Sequence, residues 1–150
     1  MRYGFTGTRT LDAADELVVA RAVSLLEDGT EFTTGACIGA DFFVGQSLWL
    51  AKPDAVHRVI VPADRSRVDH WWTHRAIGDT VRVEEMSAGT TYKDRNLRIV
   101  EHSDVLVAFP AHPEDDPRSR RSGTWQTVRM ARQRGIVVIV TVLDRPDEVA

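Results

Sequence analysis

The sequence predicts an open α/β sandwich, a mainly parallel sheet with helices on both faces. Three observations carry this. Short runs rich in β-branched and aromatic residues alternate with longer segments of helical periodicity. Several short runs are apolar without interruption, as strands buried on both faces are; "DVLVAF" (104–109) and "IVVIVTV" (136–142) are the clearest. Small-residue turns follow the strands, at "TGTR" (6–9), "TGACIGAD" (34–41) and "PADRS" (62–66).

The elements follow in order. "RYGFT" (2–6) reads as a first strand. Residues 11–28 place Leu11, Ala14, Val18, Ala22 and Leu25 on one helical face, and Gly29 ends the segment. "EFTT" (31–34) is a second strand, and Val44, Leu48 and Ala51 share a helix face that Pro53 closes. "HRVIV" (57–61) and "TVRVEEM" (80–86) are two more strands, the latter alternating and so placed near an edge. A helix carrying Tyr92, Asn96 and Ile99 on one face precedes strand 104–109. The stretch "RSGTWQTVRMA" (121–131) starts another helix with Trp125, Val128 and Ala131 inward, before the last strand. Right-handed crossovers make this a Rossmann-like fold, in which ligands bind outside the carboxyl ends of the strands. All the unusual turns fall at that end.

Composition narrows the function classes. The chain has 150 residues, 43% hydrophobic and 27% charged, which suits one domain over 1–150. A net charge of −3 disfavours coating nucleic acid by bulk attraction, although Arg118, Arg120, Arg121, Arg129, Arg132 and Arg134 crowd one region. Cys37 is the only cysteine, so no internal disulfide forms. "MRYGFTGTRT" lacks a signal-peptide core, and "IVVIVTVL" is far shorter than the ~20 residues that span a bilayer. A soluble, cytoplasmic protein with no membrane contact is expected.

The ordered set "FTGTR", "TGACIGAD", "YKDRNLRIVEHSDVLVAFP" and "SGTWQTVRMARQRGIVVIV" resembles the SLOG superfamily. That group holds the DNA processing protein A family, the Lonely Guy phosphoribohydrolases and nucleotide-sensing domains. The resemblance spans nearly the whole chain. It implies a first ligand loop at Gly7, Thr8 and Arg9. It implies a second at Gly35, Ala36, Gly39, Ala40 and Asp41, with small residues admitting the ligand and Asp41 facing a ribose hydroxyl. Arg95 and Asn96 match the family's Arg-Asn pair, and Pro110 opens the loop that leads to the phosphate turn, Ser122, Gly123 and Thr124. It also implies a homodimer.

One departure bears on chemistry. Lonely Guy enzymes carry a glutamate near this helix start, where the present chain has Gln126. An amide neither exchanges a proton nor stabilises an oxocarbenium-like sugar by charge. Cleavage would then fall to Asp41, Asp64 or Asp69. The expected function is therefore binding of a nucleoside phosphate or ADP-ribose-like ligand, for sensing or sequestering. The alternatives are a phosphoribohydrolase of Lonely Guy type and a single-stranded DNA binder like DNA processing protein A. Bases in such DNA binders stack on aromatics along a basic groove, and no aromatic ladder accompanies the arginines here, so DNA binding is expected to be weak at physiological salt.

His70 and His74 in "DHWWTHRA" stand at i, i+4, but without a glutamate or any obvious third ligand except Asp69, so neither metal nor cofactor is expected. Trp71 and Trp72 either stack on a base as a lid, with His70 and Arg75 near phosphate, or pack on the core or a partner subunit. Cys37 has no basic neighbour in sequence and reads as a small core residue. The loop "HPEDDPRSRRS" reads as a flexible flank of the pocket.

Overall fold

The computed structural model describes residues 1–27, 31–69 and 80–144. Among these, six strands form one sheet: β1 (Arg2–Gly7), β2 (Glu31–Thr34), β3 (Val56–Val61), β4 (Val81–Glu85), β5 (Val105–Phe109) and β6 (Val137–Val140). The order is β4-β3-β2-β1-β5-β6 and every pairing is parallel. The described helices are α1 (Ala13–Leu25), α2 (Ala40–Ala51), α3 (Tyr92–Glu101) and α4 (Gly123–Gln133). The alternating strand lies at one edge, as expected, and the apolar β5 is buried along its whole length.

Alternation along β5 divides the core. Val105, Val107 and Phe109 join Tyr3, Phe5 and Phe32 under α1 and α2. Leu106 and Ala108 face the other way, against Ile99, Val100, Trp125, Val128 and Ala131 of α3 and α4. A buried Phe or Leu is worth about 1.5–3 kcal/mol over leaving it exposed, so these two clusters fix which helix lies on which face.

The inward face of α1 differs from expectation. Val19 and Val23 are fully buried, whereas Val18 is 40% and Leu25 73% exposed; Leu11 and Ala22 pack only partly. The helix is apolar around most of its circumference, so spacing alone could not select a side. A capping box orients its start: Asp12 accepts from the Asp15 amide at 2.8 Å, and Asp15 accepts from that of Asp12 at 3.0 Å. In α2, Val44 and Leu48 are buried as expected and Ala51 is exposed.

The chain leaves β1 through β2, β3 and β4 in one direction, then returns to the far side of β1 for β5 and β6. Loops following β1 and β5 therefore diverge and open a crevice at the carboxyl end of the sheet. No described helix is long and apolar enough to cross a membrane.

Candidate functional site: an arginine-lined cavity over β1 and β5

A cavity of about 440 Å³ opens at this crevice. Its lining includes Gly7, Thr8, Arg9, Asp41, Arg95, Asn96, Ser122, Gly123 and Thr124, so four separate sequence motifs meet there. Gly35, Ala36, Gly39, Ala40, Pro110 and Gln126 do not line it. Thr6, Cys37, Ile38, Arg67, Arg118 and Arg121 do, beyond the expected set.

The small residues of "TGACIGAD" serve protein contacts. A Cβ on Gly35 would fall 2.1 Å from the Arg95 guanidinium and 2.7 Å from Asp41 Oδ2. Gly39 has φ of 83°, and a Cβ there would meet the Arg9 backbone at 2.4 Å. Ala40 donates its N–H to the Thr8 carbonyl at 2.9 Å, and Ala36 is buried beside Val59 and Val61. These residues lock the β2–α2 loop against the β1–α1 loop.

Arg95 is the pin beneath the cavity. It is 6% exposed and donates Nη1 to the Gly35 carbonyl and Nε to Asn96 Oδ1 at 2.9 Å. Its Nη1 also lies 3.6 Å from Asp41 Oδ2, which accepts the Cys37 N–H at 3.1 Å. Burial pushes the Asp41 carboxyl above its usual range, against the opposing pull of Arg95 and of backbone N–H groups. Cys37 is buried, as expected, and burial together with Asp41 raises its thiol to about 11, so it is no nucleophile at neutral pH. The Tyr92 ring takes both arginines, with the guanidinium carbons of Arg9 and Arg95 at 5.0 and 5.5 Å from its centroid. Its position three residues before Arg95 on α3 is the only sequence signal of that role.

Three buried cavity-lining side chains keep hydrogen-bonding capacity that no described residue uses. Thr6, Asn96 and Thr124 are each more than nine-tenths buried. Neither threonine hydroxyl makes a hydrogen bond within the described protein, and Asn96 uses only its Oδ1, toward Arg95. Ser122 caps α4 through the Trp125 N–H at 3.2 Å, which leaves the Gly123 and Thr124 N–H groups without acceptors among the described residues. A Cβ on Gly123 would meet nothing within 4 Å.

The loop expected as a flexible flank packs down instead. Ser119 is buried and donates to the Pro113 carbonyl at 2.7 Å, and Trp125 Nε1 donates to that of His112 at 2.9 Å. Arg132 lies over Trp125 and reaches Glu114 at 3.0 Å. Asp116 caps a 3₁₀ turn and holds Arg118 at 2.8 Å, with its own carboxyl drawn down to about 2 by that partner. Asp64 is exposed and does not line the cavity; Asp69 lends its backbone N–H to the Ala36 carbonyl. His70, Trp71, Trp72, His74 and Arg75 lie outside the described residues, as does Gly29. No group of three potential metal ligands occurs among the described residues.

The fold matches two solved proteins closely. One is DNA processing protein A from Helicobacter pylori, whose structure concerns its single-stranded DNA binding; the TM-score is 0.67 at 16% identity, over 98% of this chain and 68% of that one. The other is DNA processing protein A (DprA) from Streptococcus pneumoniae, at the same score and identity, over 95% of this chain and 52% of that one. The chain has the fold of DNA processing protein A. It spans about two thirds of the Helicobacter DprA and half of the pneumococcal one, and at this identity the likeness is one of fold. No family model and no curated protein matches the chain.

Proposed function

We propose that this chain binds a phosphate-bearing nucleotide in the cavity over β1 and β5. The observation that carries the reading is the lining itself. Among the described residues, five arginines (Arg9, Arg67, Arg95, Arg118 and Arg121) share a cavity with one carboxylate, in a chain whose net charge is −3. The volume falls within the ~300–1,000 Å³ of typical small-molecule sites. Phosphate sits at the start of α4, where the Gly123 and Thr124 N–H groups and the positive end of the helix dipole favour an anion. Thr6, Asn96 and Thr124 supply the sugar with donors and acceptors that the protein itself leaves unused. Asp41 and Arg95 hold the floor and the loops above it.

Binding without cleavage is the reading the site supports. Gln126 stands half-buried away from the cavity, and Asp41, the one lining carboxylate among the described residues, is committed to Arg95 and the Cys37 N–H. A glycosidase needs a carboxylate free to protonate a leaving group or to attack.

A second reading, single-stranded DNA as the ligand, is favoured by the fold shared with DprA. One titration series separates the two. Calorimetry with the four ribonucleoside monophosphates is set beside anisotropy with a fluorescent oligothymidylate across a range of salt. Micromolar binding of a mononucleotide with weak, salt-sensitive oligonucleotide binding supports the first reading. Tight oligonucleotide binding at physiological salt with no mononucleotide affinity replaces it with the second.

A further inference from the structure

The charges around the cavity are unequally compensated, and this specifies the ligand more narrowly than the nucleotide reading on which the argument rests. Arg95 faces Asp41, and Arg118 is gripped by Asp116 through two guanidinium nitrogens, at 3.1 and 2.8 Å. Arg9, Arg67 and Arg121 face no carboxylate within ion-pair distance among the described residues. Arg9 instead lies against Tyr92, and Arg67 and Arg121 are exposed at the rim.

The three approach from two sides. Arg67 is carried beside the β2–α2 loop, where its carbonyl accepts the Ile38 N–H at 3.0 Å, and Arg9 packs on Gly39 of the same loop. Arg121 directly precedes Ser122 and the open N–H groups of Gly123 and Thr124. β2 and β5 flank β1 on opposite sides, so one group of positive charge stands on each side of the central strand. A single phosphate monoester carries about −1.5 to −2 at neutral pH and can satisfy one side. Three uncompensated guanidinium groups on two sides match a ligand with a second phosphate.

We infer that the cavity selects nucleotides bearing at least two phosphate groups over nucleoside monophosphates, one phosphate at the α4 start beside Arg121 and the other between Arg9 and Arg67. A charge-assisted hydrogen bond to the second phosphate favours the doubly phosphorylated ligand by about ten- to a hundredfold.

The test is calorimetry of each ribonucleoside 5′-monophosphate against its 5′-diphosphate and 3′,5′-bisphosphate, with wild type, Arg67→Ala, Arg121→Ala and the double variant. Both arginines are exposed, so the variants fold, which circular dichroism confirms. At least a tenfold preference for a doubly phosphorylated nucleotide in wild type, lost in the double variant, is the expected result. Equal affinities for mono- and doubly phosphorylated forms overturn this inference and leave the nucleotide site standing. A preference that survives in the double variant also overturns it, because the charges named are then not its source. Failure of every nucleotide to bind overturns the nucleotide reading itself.

Discussion

Arg95 and Gly35, sixty residues apart, meet where the guanidinium fills the space a side chain would occupy and donates to the glycine carbonyl. This contact closes the floor of the cavity and ties α3 to the loop after β2. Its partner Asp41 is as deeply buried, so the three residues work as one unit.

Arg95→Ala is expected to act on stability first. It strands a buried Asp41 carboxyl and the Gly35 carbonyl, a loss of about 3–5 kcal/mol by comparison with other broken buried pairs. Replacing both members, Arg95→Met with Asp41→Leu, should cost less than the single change, because no unpaired charge remains. Urea denaturation of the three variants measures this. A stable Arg95→Ala protein that merely loses nucleotide affinity would show the arginine to be a ligand contact instead of a structural pin.

Two glycines should respond in opposite ways. Gly35→Ala places a methyl 2.1 Å from the Arg95 guanidinium and should lower Tm, whereas Gly123→Leu enters open space and should leave Tm unchanged. Gly123→Leu should nonetheless abolish nucleotide binding, since its side chain stands in front of the α4 N–H groups. Thermal melts paired with calorimetry read both halves. Unaltered affinity in a folded Gly123→Leu protein would move the phosphate elsewhere.

Acid should weaken the fold through His57. The ring is buried on β3, with Nε2 2.9 Å from Thr34 Oγ1, and burial pulls its pKa from 6.5 down to about 4. The unfolded chain therefore binds more protons than the native one between those values. Stability is complete above about pH 6.5 and falls toward pH 4, by roughly 3 kcal/mol at the full difference. His102, lowered by burial and by Arg58 and Arg98, adds in the same direction. Denaturation midpoints at pH 7 and 5 should separate in wild type and draw closer in His57→Gln. A flat profile would show that the native protein accommodates charged His57.

No free base should appear when the protein is incubated with nucleoside monophosphates, because the Gln126 amide neither transfers a proton nor carries charge and Asp41 is committed to Arg95. Chromatography follows the base. Turnover within the ordinary enzyme range of ~1–1,000 per second would make the protein a glycosidase and Asp41 or Asp64 its first suspects.

Strand runs such as "DVLVAF" are legible because burial on both faces leaves no polar positions to confuse the reading, and residues of the turns at the strand ends line the cavity. The face of α1 was not legible, since Leu17, Val18, Val19 and Val23 offer several apolar sides and only the packing partner chooses. Thr8, Asn96 and Ser122–Thr124, which stand out by local pattern, line the cavity. The contact of Gly35 with Arg95 has no such signal, because a glycine that admits an arginine and one that admits a ligand look alike in sequence. Arg67 carries no local signal: it follows "PADRS" in an exposed loop, and only the pairing of Ile38 with its carbonyl brings it to the cavity.

The most direct test observes the backbone of α4 by amide-resolved NMR while a nucleotide identified by calorimetry is titrated in. The account predicts that the Gly123 and Thr124 amide resonances shift downfield together and saturate with the calorimetric affinity, as N–H groups that lack acceptors gain a phosphate. Saturable binding that leaves both resonances in place and moves others instead would contradict it.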